Sequence, residues 1–170
     1  MRIFLLVCCI FVFLLIFISV LYVNEKVNSQ RQYMLYAKVL KVIDGDTFEV
    51  YVLNTSRVER LRLKCIDFPD LAPQERVNKW LFKYHVKNMS ILIRCYHESI
   101  SLLKEMLENK SIIILQDKKY ERDKYHRLLG YVIFNGTDIN DFLIENGYAI
   151  PYLCDKYAPS FDREGCLWIE

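Results

Sequence analysis

The chain has 170 residues, 53% of them hydrophobic and 14% aromatic, and a formal net charge of +2. Beyond an apolar N-terminal run, that length is one domain in size. The charge is too small to point to a partner, and six cysteines without a C-x-x-C pair argue against metal–thiolate chemistry.

Residues 3–23 carry no charge. An uncharged apolar run of this length is enough to span a bilayer as a helix. A secretory signal competes, but its apolar region is normally about 7–15 residues and ends in small residues. Here the run closes on Ser19-Val20-Leu21-Tyr22-Val23, with no small-x-small site. The expected organisation is a transmembrane anchor over 1–23, a linker over 24–33 and a domain over 34–170. The chain is then a single-pass membrane protein, or a secreted one if the segment is cleaved. Arg2 stands on one flank and Glu25, Lys26 and Arg31 on the other, so the positive-inside rule leaves the side of the domain open.

The run 34–43 is apolar and β-branched and reads as a strand, closed by the turn signal Asp44-Gly45. Residues 47–53 alternate, with Phe48, Val50 and Val52 on one face. Residues 57–66 alternate again: Leu61, Leu63 and Cys65 oppose Arg60, Arg62 and Lys64. Pro69 ends the pattern, because proline cannot donate to a ladder. The polar-aromatic stretch 74–97 reads as a helix followed by a loop. Over 98–109, Ile100, Leu103, Met106 and Leu107 recur at helical spacing. Strands follow at 111–115 and 128–134, around a charged loop at 117–127. Asp138 caps a short helix that Gly147 ends. Five short strands with an intervening helix suit a small mainly β, α+β fold: a five-stranded OB-fold barrel with flanking helices, preceded by the transmembrane helix. A Cys154–Cys166 disulfide is one pairing that the scattered cysteines allow. Asn-x-Ser/Thr sequons at Asn54, Asn88, Asn109 and Asn135 matter only for a lumenal or extracellular domain.

Three stretches carry polar residues that a barrel core does not need: Asp44-Gly45-Asp46, then Arg62 with Asp67 and Asp70, then Arg127. Singly, each is an ordinary turn or solvated residue. Together they combine oxygen ligands for a hard cation with guanidinium groups that hold a phosphate in two-pronged fashion. Phosphodiester hydrolysis requires that combination.

"VIDGDTFEV", "LRLKCIDFPD" and "DKYHRLLGYV", in this order, resemble the staphylococcal nuclease (thermonuclease-like) family over roughly 37–151. The resemblance implies an OB-fold barrel that cleaves DNA and RNA with calcium, other divalent cations being alternatives. It implies Asp46, Asp67 and the backbone carbonyl of Phe68 as metal ligands, and Asp44 as a supporting charge. Arg62 and Arg127 would clamp the scissile phosphate. Lys124, Tyr125 and Tyr152 would contact the flanking nucleotide. Asp70 stands where the family usually has glutamate, the residue that activates water; Glu75 is the alternative base. Phe68 replaces a frequent threonine and His126 a frequent glycine. The stretch 71–97 is longer than the equivalent loop, which suits a lid or a contact surface.

The leading expectation is a membrane-anchored, metal-dependent nuclease, an endonuclease, with little sequence preference. The first alternative is a catalytically weak or inactive nucleic-acid-binding OB-fold module. The second is a tethered protein-interaction domain that uses the aromatic stretch 80–96.

Overall fold

The computed structural model describes residues 14–20, 22, 32–117, 121–152 and 166–168. Strands β1 (Gln32–Val42), β2 (Thr47–Val52) and β3 (Arg57–Leu63) form an antiparallel meander. Alternation turns Ala37, Val39, Phe48, Val50, Val52, Leu61 and Leu63 into the core. Next comes β4 (Ile66–Asp67), which leaves the line of β3 at Cys65, a residue held at φ 64°. Along the other edge of β1 lies β5 (Ser111–Asp117), and β6 (Leu128–Phe134) pairs with β5. A parallel pairing of β6 with β3 closes the five-stranded barrel. Closure satisfies the ladder groups that an open sheet would leave at its edges. The short β7 (Thr137–Asp138) extends β6, and β8 (Ile150–Pro151) pairs with β4.

The stretch 74–97 is more structured than its sequence suggests. It holds α1 (Gln74–Asn78), a π-turn (Lys79–Lys83) and the first residues of α2 (Met89–Leu107). The expected helix over 98–109 therefore begins nine positions sooner, at Met89. Asn88 sets the start, its side-chain oxygen accepting from the Ile91 amide at 3.0 Å. The buried face of α2 runs through Leu92, Cys95, Ser99, Leu103 and Leu107. Cys95 and Ser99 are weakly hydrophobic, so the face is incomplete when apolar residues alone are followed. At the far end of the chain, α3 (Ile139–Glu145) is capped by Asp138, whose carboxylate accepts from the Asn140 and Asp141 amides, and Gly147 follows it at φ 66°.

A second core gathers Val77, Trp80, Tyr84, Val86, Leu92, Cys95, Ile150, Cys166 and Leu167. The aromatic stretch 80–96 is thus largely internal: Trp80 is fully buried, while Phe82 is 75% exposed. This removes the basis for treating the whole stretch as a contact surface. Cys166 bonds to Cys95, so the Cys154–Cys166 pairing that the sequence allows does not form. Cys65 is also disulfide-bonded, and Cys154 lies outside the described residues. Of the expected anchor over 1–23, only 14–20 and 22 are described, as helix; the rest, with most of the linker, lies outside. Among the described residues no helix is long and apolar enough to cross a membrane.

Candidate active site

One rim of the barrel collects the charged residues. The β1–β2 turn brings Asp44 and Asp46, the end of β3 brings Arg62, and β4 with its following segment brings Asp67, Phe68 and Asp70. Arg127 arrives just before β6. All seven line one cavity of about 380 Å³, together with Arg76 and Tyr96. A larger cleft of about 960 Å³ shares Arg62, Asp67, Asp70 and Arg127 and adds Lys79, Lys124, Tyr125 and Tyr152.

The turn is fixed locally. The Ile43 and Asp44 amides donate to the Thr47 carbonyl at 3.0 and 3.2 Å. The Asp46 amide donates to Asp44 Oδ1 at 3.0 Å, so the Asp44 side chain folds back over the bend. Gly45 is required by close approach, since a β-carbon there would lie 2.0 Å from the Phe68 ring. Phe68 in turn packs against Tyr96, with ring centroids 5.6 Å apart.

Asp46 is buried beneath this turn. Its Oδ2 lies 2.9 Å from Arg62 Nη2, and its Oδ1 accepts from the Thr47 hydroxyl at 2.9 Å. Burial pushes its carboxyl up to about 8; Arg62 opposes that rise and Asp44 adds to it. Arg62 also donates to the carbonyls of Leu63 and Ile66 at 2.8 and 3.0 Å, and stands 4.0 Å from Asp67 Oδ1. Asp67 Oδ2 is ion-paired with Lys79 and accepts from the Tyr84 hydroxyl at 3.2 Å. Asp70 is paired with Arg76 at 3.4 Å. Burial raises its carboxyl above the ordinary value, against the pull of Arg76.

Arg127 is positioned by Asp123, which receives its Nε and Nη2 at 2.8 and 2.7 Å. The same carboxylate accepts from the Tyr125 and Arg127 amides, closing the loop. Burial works to raise the Asp123 carboxyl, but hydrogen bonds from Arg127 and the Tyr125 amide outweigh it and hold it below its ordinary value. His126 sits at φ 64°, which accounts for the glycine common at this point of the family pattern. Lys124 and Tyr125 project from this loop into the exposed wall of the cleft. Tyr152 follows β8, its amide bonded to the Cys65 carbonyl at 2.9 Å. Glu75 is exposed on α1 and does not line either cavity, so the structure does not bring it to the cluster.

Sequence reasoning missed Lys79, Tyr84, Arg76 and Asp123. The spacing of Asp123 and Arg127, four residues apart, was a usable signal. The others lie in the stretch whose structure was ambiguous.

Among the described residues, no group of three or more His, Cys, Asp or Glu side chains forms a metal-binding cluster. The donor chemistry nevertheless fits a hard divalent cation. Asp46 and Asp67 both present carboxylate oxygens to one cavity, and oxygen donors suit such an ion.

Residues 60–167 match the family model described as staphylococcal nuclease homologue. The chain belongs to the staphylococcal nuclease family. It is 33% identical to an uncharacterized protein of Bacillus anthracis, over 66% of this chain and 45% of that protein. It is 26% identical to an uncharacterized endonuclease of Escherichia coli O157:H7, over 69% of this chain and 61% of the other. It is 28% identical to the SPbeta prophage-derived endonuclease YokF of Bacillus subtilis strain 168, over 73% of this chain and 38% of the other. The chain therefore spans less than two thirds of each of these relatives. Within this staphylococcal nuclease-like domain, the matched span holds Arg62, Asp67, Phe68, Asp70 and Arg127. Asp44 and Asp46 precede that span, and the structure brings them into the same cavity.

Proposed function

We propose that the domain is a calcium-dependent nuclease that hydrolyses phosphodiester bonds of DNA or RNA with little sequence preference. The observation that carries this reading is the convergence of Asp46, Asp67, Arg62 and Arg127 on one cavity. Asp46, Asp67 and the Phe68 carbonyl would hold the cation. When bound, it supplies charge neutralisation at the phosphate oxygens and lowers the pKa of water. Arg62 and Arg127 hold the scissile phosphate and stabilise the charge that grows on it. Asp123 keeps the Arg127 guanidinium aimed into the cavity.

Asp70 takes the proton of the attacking water. Its raised carboxyl brings it nearer the working range of a general base. Aspartate is one methylene shorter than glutamate, and misplacement by about 1 Å costs on the order of a hundredfold in rate. A slow nuclease is therefore expected. Lys124, Tyr125 and Tyr152 bind the neighbouring nucleotide through phosphate and ring face. Such contacts position a strand without reading its sequence. The relatives named as endonucleases support internal cleavage. The uncharged run over 3–23 supports attachment to a membrane. The Cys95–Cys166 disulfide favours an oxidising compartment for the domain.

Asp70 in place of glutamate specifically favours the second reading, a nucleic-acid-binding module without catalysis. One experiment separates the two. Single-stranded DNA is incubated with the protein in calcium and in chelator, beside Arg62→Ala. Cleavage that requires calcium and falls by about 10²–10³-fold in Arg62→Ala establishes the nuclease. Strand binding without cleavage under either condition establishes the binding module instead.

A further inference from the structure

Asp67 does not stand open to an incoming cation. Its Oδ2 already carries an ion pair with Lys79 and the hydrogen bond from Tyr84, and Arg62 stands beside Oδ1. Lys79 opens the π-turn, and its neighbour Trp80 is fully buried, so the backbone there is pinned and any change of partner must come from rotation of the flexible four-carbon stem. The Lys79 side chain is 33% exposed and lines the larger cleft with Arg62, Lys124 and Arg127. Its ammonium lies 5.2 Å from the Tyr84 ring and 5.4 Å from the Tyr152 ring.

We propose that Lys79 is an exchangeable cation of the site: it occupies Asp67 when no metal is bound, sets the metal affinity by competing for that carboxylate, and turns to the substrate strand once displaced. This rests on the calcium-dependent reading above. A divalent ion on Asp67 places like charge against the ammonium, which repels it at this range. The Tyr152 ring, which lines the same cleft, gives the freed ammonium a partner there, where it adds one phosphate contact to those of Arg62, Arg127 and Lys124.

Calcium binding decides the matter, read by titration calorimetry on the full chain in detergent. Lys79→Met is expected to bind calcium about tenfold more tightly than the unsubstituted protein, and Lys79→Arg about equally to it. With calcium bound, Lys79→Met is also expected to bind a phosphorothioate single strand with a salt slope shallower by about 0.7, the loss of one phosphate contact. A merely structural lysine predicts the opposite sign, since its removal loosens Asp67. Equal or weaker calcium binding in Lys79→Met overturns the inference and leaves the nuclease reading intact. Lys79→Gln repeats the test should the methionine variant fail to fold. Absence of calcium binding in the unsubstituted protein overturns both.

Discussion

Gly45 and Phe68 define the site at the scale of single residues. The Phe68 ring fills the space that a side chain at position 45 would need, so the turn carrying two carboxylates is pressed against the segment that follows Asp67. Gly45→Ala is expected to cost about 1–3 kcal/mol by overpacking. Urea unfolding checks this, and Phe68→Ala in the same chain should recover part of the loss. A second pair bears on pH. Arg122 grips Glu59 with both nitrogens, at 2.8 and 3.0 Å, and this hydrogen bonding holds the Glu59 carboxyl below its ordinary 4.5. A depressed carboxyl contributes stability above the unfolded value and loses it as pH falls through the folded one. The stability gap between the unsubstituted chain and Glu59→Gln should therefore be present at pH 7 and shrink as pH falls below the ordinary glutamate value, followed by thermal unfolding across pH.

At the scale of elements, the barrel strands were legible because alternation is a direct image of burial. Phe48, Val50 and Val52 point inward as their period requires. The start of α2 was not legible, because its inward face passes through Cys95 and Ser99. That cysteine has a use no periodicity reveals: it ties the helix to the C-terminal 3₁₀ turn (Cys166–Trp168) across 71 positions of sequence. Closing so long a loop restricts the unfolded chain. Cys166→Ser is expected to cost about 2–4 kcal/mol, measured by urea unfolding under oxidising conditions. The same helix supplies Leu103 and Leu107 to the barrel and Leu92 and Cys95 to the second core, so the loss should be felt by both.

For the molecule as a whole, the gathering of residues at the candidate site was legible where they stand beside turns or on alternating strands: Asp46, Arg62, Asp67 and Arg127 line one cavity. It was illegible where a residue from an irregular segment folds back over it. Lys79 and Tyr84 reach Asp67 only because Trp80 and Val77 bury themselves in a core that the sequence does not announce. Local pattern exposes groups held by local geometry. Groups delivered by tertiary packing need the fold.

The eleven residues of β1 run from Gln32 at one rim to Val42, two positions before Asp44, at the other. At about 3.3 Å per residue that is a reach of roughly 35 Å. At its first residue Gln32 pairs with Asp117, Asp117 is ion-paired with Lys64, and Lys64 lines the larger cleft, so this one strand links the wall of the cleft at its start to the carboxylate turn at its end.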